Sequence, residues 1–127
     1  KQMLVSSGVG DAIGQMAVQA NLSPILLAWS VAALIRVATG SATVAIITGA
    51  GIVAPVINLV PGVNRELLVL AAGAGSVMFS HVNDAGFWLV KQYFNLTVVE
   101  TMKTWSALET IISVTGLVCV LLLGLVV

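Results

Sequence analysis

Charge is scarce in this chain. Asp, Glu, Lys and Arg make up 8% of its 127 residues, and the five cations, Lys1, Arg36, Arg65, Lys91 and Lys103, are dispersed. Without a basic run there is no footprint for nucleic acid or for anionic lipid. The one cysteine, Cys119, lies inside the last apolar run. Alone it builds neither a disulfide framework nor a metal site, and it reads as a buried, small packing residue. His81 is the one histidine. No pair of His, Cys or carboxylates has metal-ligand spacing, so neither a metal nor another cofactor is expected. No nucleophilic triad or phosphate loop is visible, which argues against an enzyme.

What is present is apolar. The chain is 59% hydrophobic with a mean hydropathy of +1.11, whereas soluble domains carry about 25% charged residues. A soluble protein of this length cannot cover its surface with so few charges. The expected fold class is an all-α polytopic membrane protein in contact with the lipid bilayer. The chain opens at Lys1 without an initiator Met, falls at once into a helical pattern and shows no signal peptide. Too short and with too many interrupted segments for a complete transporter, residues 1–127 read as the C-terminal transmembrane segment of a larger protein.

Residues 1–23 are expected to hold an amphipathic helix. Val5, Val9, Ile13, Met16 and Ala20 share one side, and Ser7, Asp11, Gln15 and Gln19 recur every four residues on another. Ser23-Pro24 then reads as an N-cap followed by a first helical position. The apolar run 25–38 has 14 residues, roughly 21 Å of helix at about 1.5 Å per residue. A full span needs about 20 residues. Turn-compatible Thr39-Gly40-Ser41-Ala42-Thr43 follows, then a second run over 44–60 that contains Pro55, closed by Pro61-Gly62. Two topologies compete for residues 24–62: two full crossings, or a re-entrant hairpin whose arms enter and leave on one side. The short first arm and the polar tip favour the hairpin, because irregular backbone at membrane depth is tolerated where it is buried in protein or lines a cavity.

Residues 65–94 read as one interrupted helix. The small residues Ala71-Ala72-Gly73-Ala74-Gly75-Ser76 offer a smooth face for close helix approach. The polar cluster Ser80-His81-Val82-Asn83-Asp84 is then expected at membrane depth, where ionisable groups are costly and mark ion or substrate pathways. Residues 91–105 are more polar and are expected to return along an interface, with Trp88, Tyr93 and Trp105 at headgroup level. Residues 106–127 are expected to form the final transmembrane helix. Lys91 and Lys103 outnumber Arg65 on the opposite loop, which sets the 91–105 loop on the cytoplasmic side and the C-terminus in the periplasm.

Three stretches carry a resemblance. Gly40-Ser41-Ala42-Thr43-Val44-Ala45 with Gly51-Ile52-Val53-Ala54-Pro55, then Ser80-His81-Val82-Asn83-Asp84-Ala85-Gly86-Phe87-Trp88, then Thr101-Met102-Lys103-Thr104-Trp105 with Glu109-Thr110, resemble the C-terminal half of the gluconate permease family. The resemblance implies a multi-pass symporter of the bacterial inner membrane that takes up gluconate or a related sugar acid with a proton. It also implies two inverted repeats of an ion-transporter-type fold, each with a re-entrant hairpin and a broken helix. This chain would supply the second. The partners implied are the sugar acid, the proton and the N-terminal repeat, with a homo-oligomer as an open alternative.

A sugar acid offers a carboxylate and several hydroxyls. The tip can meet it with the Ser41 and Thr43 hydroxyls and with backbone N–H groups at the start of the second arm, while Gly40 lets it approach the backbone. The bland alternative is a tight turn that needs small residues only to fit. Asn83 donates and accepts, which suits a hydroxyl. Arg36 has three readings: a partner for the substrate carboxylate, a snorkelling interfacial charge, or a paired structural residue inside the protein. His81 and Asp84 are the proton-coupling candidates, sharing a face if the segment is helical. Their structural alternative has Asp84 capping the next helix and His81 orienting it. Two rival functions stay open: a same-family transporter of another small hydroxy or amino acid, and a non-transporting helix-assembly module.

Overall fold

The computed structural model describes residues 8, 12, 15, 23–55, 57, 60 and 62–126. The amphipathic helix expected before residue 23 therefore lies almost wholly outside the described residues. Among the described residues every regular element is helical and there is no strand.

Helix α1 spans Pro24–Thr39, with Ser23 at its N-cap and Pro24 at the first helical position. It ends at Gly40, whose φ of 70° lets its N–H turn back to the Arg36 carbonyl at 2.8 Å. That left-handed conformation is the one a glycine adopts without a side-chain penalty. Helix α2, Ala42–Val53, starts immediately afterwards, capped by the Ser41 hydroxyl on Val44 N. It stops short of the expected residue 60, two positions before Pro55, which has no N–H to continue the ladder. At about 1.5 Å per residue the 16 and 12 residues of α1 and α2 reach roughly 24 and 18 Å.

Helix α3, Arg65–Ser76, is capped by Asn64 Oδ1, which accepts from Glu66 N and Leu67 N. The backbone then leaves the helix through residues 77–84, with Phe79 at φ 45°. It re-enters one in α4, Ala85–Tyr93, capped by Asp84. Helix α5, Val98–Leu123, is the one described helix long and apolar enough to cross a membrane. It starts eight residues before the expected 106, inside the stretch read as an interfacial return. The cause is a capping box: the Thr97 hydroxyl accepts from Glu100 N, and Glu100 accepts from Thr97 N. A π-helical turn, Met102–Ser106, interrupts α5 near its start.

Helix α1 packs against α2, α3 and α5. Ala28, Val53, Leu67, Leu68, Ala71 and Val120 form the core. Small residues set the spacing: a Cβ on Gly75 would lie 2.2 Å from the Trp29 carbonyl oxygen, and one on Gly49 3.1 Å from the Ala32 Cα. Trp29 Nε1 donates to Ser113 Oγ at 3.1 Å, and Ser113 donates to the Ala74 carbonyl at 2.7 Å, which ties α1, α3 and α5 together. Leu108, Ile111, Ile112, Val118 and Leu122 of α5 are exposed. So is Cys119, contrary to its expected buried packing role: the stripe Ser113–Val120 turns inward and leaves residue 119 on the outer side.

Candidate functional site

Two interruptions meet in the fold. One is the Gly40-Ser41 turn between α1 and α2; the other is the stretch 77–84 between α3 and α4. Gly40 lies so close to the second that a Cβ there would sit 2.2 Å from the Asn83 carbonyl oxygen. Any side chain at this position would collide with the Asn83 backbone, so the two segments approach this closely only because residue 40 is glycine.

Arg36 joins the two. It is buried, 4% exposed, although charged. Its Nη1 donates to the Gly40 carbonyl and its Nη2 to Asp84 Oδ2, each at 2.5 Å. Its Nε is buried without a partner among the described residues. Of the three roles read from the sequence, this geometry is the internal pair. A carboxylate ligand would reach this guanidinium only at the free edge or by displacing Asp84. A buried ion pair costs desolvation on both sides, which its Coulombic attraction and hydrogen bonds must offset.

Asp84 is shared further. Its Oδ1 accepts from Gly86 N at 2.9 Å, the N-cap bond of α4. Its Oδ2 also accepts from the Ser80 hydroxyl. Ser80 in turn accepts from Trp105 Nε1 at 3.0 Å, and the Ser80 carbonyl accepts from the Ser106 hydroxyl. Sequence pattern places Ser80 in the polar cluster without a role of its own and makes Trp105 an anchor or packing residue, so neither is expected to contact Asp84 or its partners. The sequence signal for the involvement of α5 is its run of small polar residues, Thr101, Ser106 and Ser113, all fully buried.

His81 and Asn83 face the end of α1. His81 Nε2 lies 3.0 Å from the Val37 carbonyl, and Asn83 Nδ2 donates to the same oxygen at 3.1 Å. A carbonyl only accepts, so Nε2 carries a hydrogen. These donors satisfy one of the orphan carbonyls that every helix leaves at its C-terminus. His81 and Asp84 therefore do not share a helical face, because residues 77–84 are not helical. What brings them together is α1, which His81 meets at Val37 and Asp84 at Arg36. At the tip, Ser41 is spent in part on capping α2, and Thr43 is exposed on its first turn. The described residues contain no group of three or more metal-ligating side chains.

The comparisons with known proteins agree on one family. The model for the GntP family permease matches residues 1–126. The gluconate permease of Pseudomonas aeruginosa is 77% identical over 99% of this chain, and 28% of its own length is covered. A high-affinity gluconate transporter of Escherichia coli K12 is 61% identical over the whole chain and 29% of its own length. The Gnt-II system L-idonate transporter of the same organism is 58% identical over 99% of the chain and 28% of its own length. The chain thus spans 28–29% of the length of these relatives. No solved structure matches it. By the family match over nearly its full length, this chain belongs to the GntP permeases, a family of membrane transporters and not of enzymes.

Proposed function

We propose that this chain is the C-terminal segment of a secondary active transporter that takes up gluconate or a related sugar acid by proton symport across the bacterial inner membrane. The observation that carries the reading is the meeting of two helix interruptions around a buried ion pair, Arg36 with Asp84. Broken helices that converge near the bilayer midplane are where transporters bind substrate and coupling ion. Two of the similar proteins bear gluconate in their names and a third bears L-idonate, another sugar acid, which supports the substrate class.

In this reading residues 24–62 form a re-entrant hairpin, residues 65–94 an interrupted helix and α5 the final crossing. Together they make the second of two inverted repeats, and the first repeat completes the site. The substrate carboxylate binds at the N-terminal end of α2, beside Gly40, Ser41 and Thr43, where unpaired N–H groups and the helix dipole favour an anion. Asn83 exchanges hydrogen bonds with a substrate hydroxyl, and Arg36 contributes positive potential from beneath. His81 or Asp84 carries the proton.

The idonate relative favours a second reading at the same site, in which another hydroxy acid is the preferred cargo. The test is uptake of labelled gluconate and labelled idonate into vesicles that hold the full-length parent, with and without an inward pH gradient. Accumulation of gluconate that needs the gradient supports the proposal. Transport of neither acid, or accumulation indifferent to the gradient, refutes it. A lower KM for idonate selects the second reading. Ser41→Ala with Thr43→Val is expected to raise the KM, and an unchanged KM would remove the tip from the site.

A further inference from the structure

The π-helical turn in α5 is the least economical element of the structure, and it sits against Ser80. Such turns are rare and concentrate at functional sites. Its effect here is readable from spacing. The buried positions of α5 are Thr101, Ser106, Ser113 and Val120. From Ser106 onward they recur every seven residues, which keeps them on one face. Thr101 to Ser106 is five, and in an unbroken α-helix that step rotates a side chain by about 140° off the stripe. The turn at Met102–Ser106 absorbs the extra residue. With it, Thr101 and Ser106 both point inward, Ser106 reaches the Ser80 carbonyl, and Trp105 reaches the Ser80 hydroxyl.

We infer that Trp105 is a positioning residue of the transport site, acting on Asp84 through Ser80. An indole N–H only donates. Because Ser80 Oγ accepts from Trp105, its own hydrogen is directed at Asp84 Oδ2. The direction of the whole chain is thereby fixed: Trp105 donates to Ser80, Ser80 to Asp84, and Asp84 accepts from Arg36, whose other nitrogen holds the Gly40 carbonyl at the hairpin tip. Without the indole, the Ser80 hydroxyl is free to rotate away, and the carboxylate loses an oriented donor. The geometry gives α5 a polar connection to the tip through Ser80, Asp84 and Arg36. This inference rests on the proposed transport role of Asp84.

The experiment is a mutant cycle in the reconstituted full-length parent, reading KM and Vmax for gradient-driven gluconate uptake in W105F, S80A, W105F/S80A and D84N. Trp105→Phe and Ser80→Ala are each expected to lower Vmax about fivefold to tenfold, the worth of one ordinary hydrogen bond. The KM should move less than about twofold, and the double variant should be no slower than S80A, because both remove one relay. Parental Vmax in W105F, or effects that multiply in the double variant, would overturn the inference. If W105F does not insert into the membrane, S80A decides: a parental rate there overturns it, and Ser80→Thr, which keeps the hydroxyl, should recover rate relative to S80A. D84N separates the two proposals. Full activity in D84N removes Asp84 from the transport site and this inference with it. Loss in D84N with unchanged W105F and S80A leaves the transport role standing and overturns only the relay.

Discussion

Arg36 and Asp84, 48 positions apart in the sequence, meet at 2.5 Å and join the end of α1 to the start of α4. The guanidinium is almost fully buried and the carboxylate mostly so. Removing one partner leaves the other charge without its counter-ion, the guanidinium buried and the carboxylate part-buried. Arg36→Met or Asp84→Asn alone is therefore expected to cost about 3–5 kcal/mol of stability. Asn keeps a side-chain acceptor for Gly86 N, so loss of the cap does not confound the comparison. The double variant R36M/D84N removes both charges and is expected to recover most of the loss. Denaturation of the purified full-length parent in detergent measures this, and strictly additive losses would mean that the two residues do not act as a pair.

The helix spacing gives a second prediction. A Cβ on Gly75 meets the backbone oxygen of Trp29 at 2.2 Å, whereas one on Gly51 meets nothing within 4 Å. Backbone cannot swing aside as a flexible side chain can. Gly75→Ala is expected to lower stability by roughly 1–3 kcal/mol through overpacking. Gly51→Ala, in the interior of α2, is expected to raise it by about 0.5–1 kcal/mol through helix propensity. Equal melting temperatures for the two variants would count against the observed approach of α1 and α3.

What could be read from the sequence was local. Ser23-Pro24 announces α1, Gly40 marks its end, and Asp84 before Ala85-Gly86 announces α4, because caps and turns act over three or four residues. The small residues at 71–76 signal a close face, and Ala71, Ala72, Gly75 and Ser76 are buried against the rest of the fold. The start of α5 was hidden by composition: Thr97 and Glu100 form a capping box, but the surrounding polar residues read as an interfacial loop. The pairing of Arg36 with Asp84 lies beyond any local pattern, since the separation exceeds every helical period. The π turn is a tertiary demand, imposed by the need to turn Thr101 and Ser106 to the same side, and propensity does not encode it.

The hairpin reading makes a third prediction. Helices α1 and α2, at 16 and 12 residues, are both short for a crossing. In the parent with Cys119 replaced, single cysteines at Leu22 and Gly62 are expected to react with a membrane-impermeant reagent from one side. Both topologies share that outcome, so Ala42 at the tip decides. In a re-entrant hairpin a cysteine there is shielded by protein and its labelling falls when substrate is bound. Free labelling from the side opposite to Leu22 and Gly62, indifferent to substrate, would establish two full crossings.

The fourth prediction concerns the proton. His81 and Asp84 are the ionisable groups of the helix break, and both are held against α1, His81 on the Val37 carbonyl and Asp84 on Arg36. A coupling residue must exchange its proton with each side in turn while substrate binding changes its affinity for that proton. Asp84→Asn keeps shape and hydrogen-bonding capacity but cannot titrate, and His81→Gln does much the same for the imidazole. Substrate exchange at equal pH needs only binding and reorientation, whereas uphill accumulation also needs the proton. If Asp84 carries it, D84N should lose accumulation driven by a pH gradient and keep measurable substrate exchange at equal pH. H81Q should then accumulate normally, since the Val37 carbonyl can accept from the Gln amide instead. If His81 carries the proton, the two results interchange. Accumulation and exchange falling together in both variants would reduce the pair to structure, with Asp84 a cap and ion-pair partner and His81 a cap on α1. Full gradient-driven uptake in both would remove coupling from this cluster and move the search to the residues of the parent outside this chain.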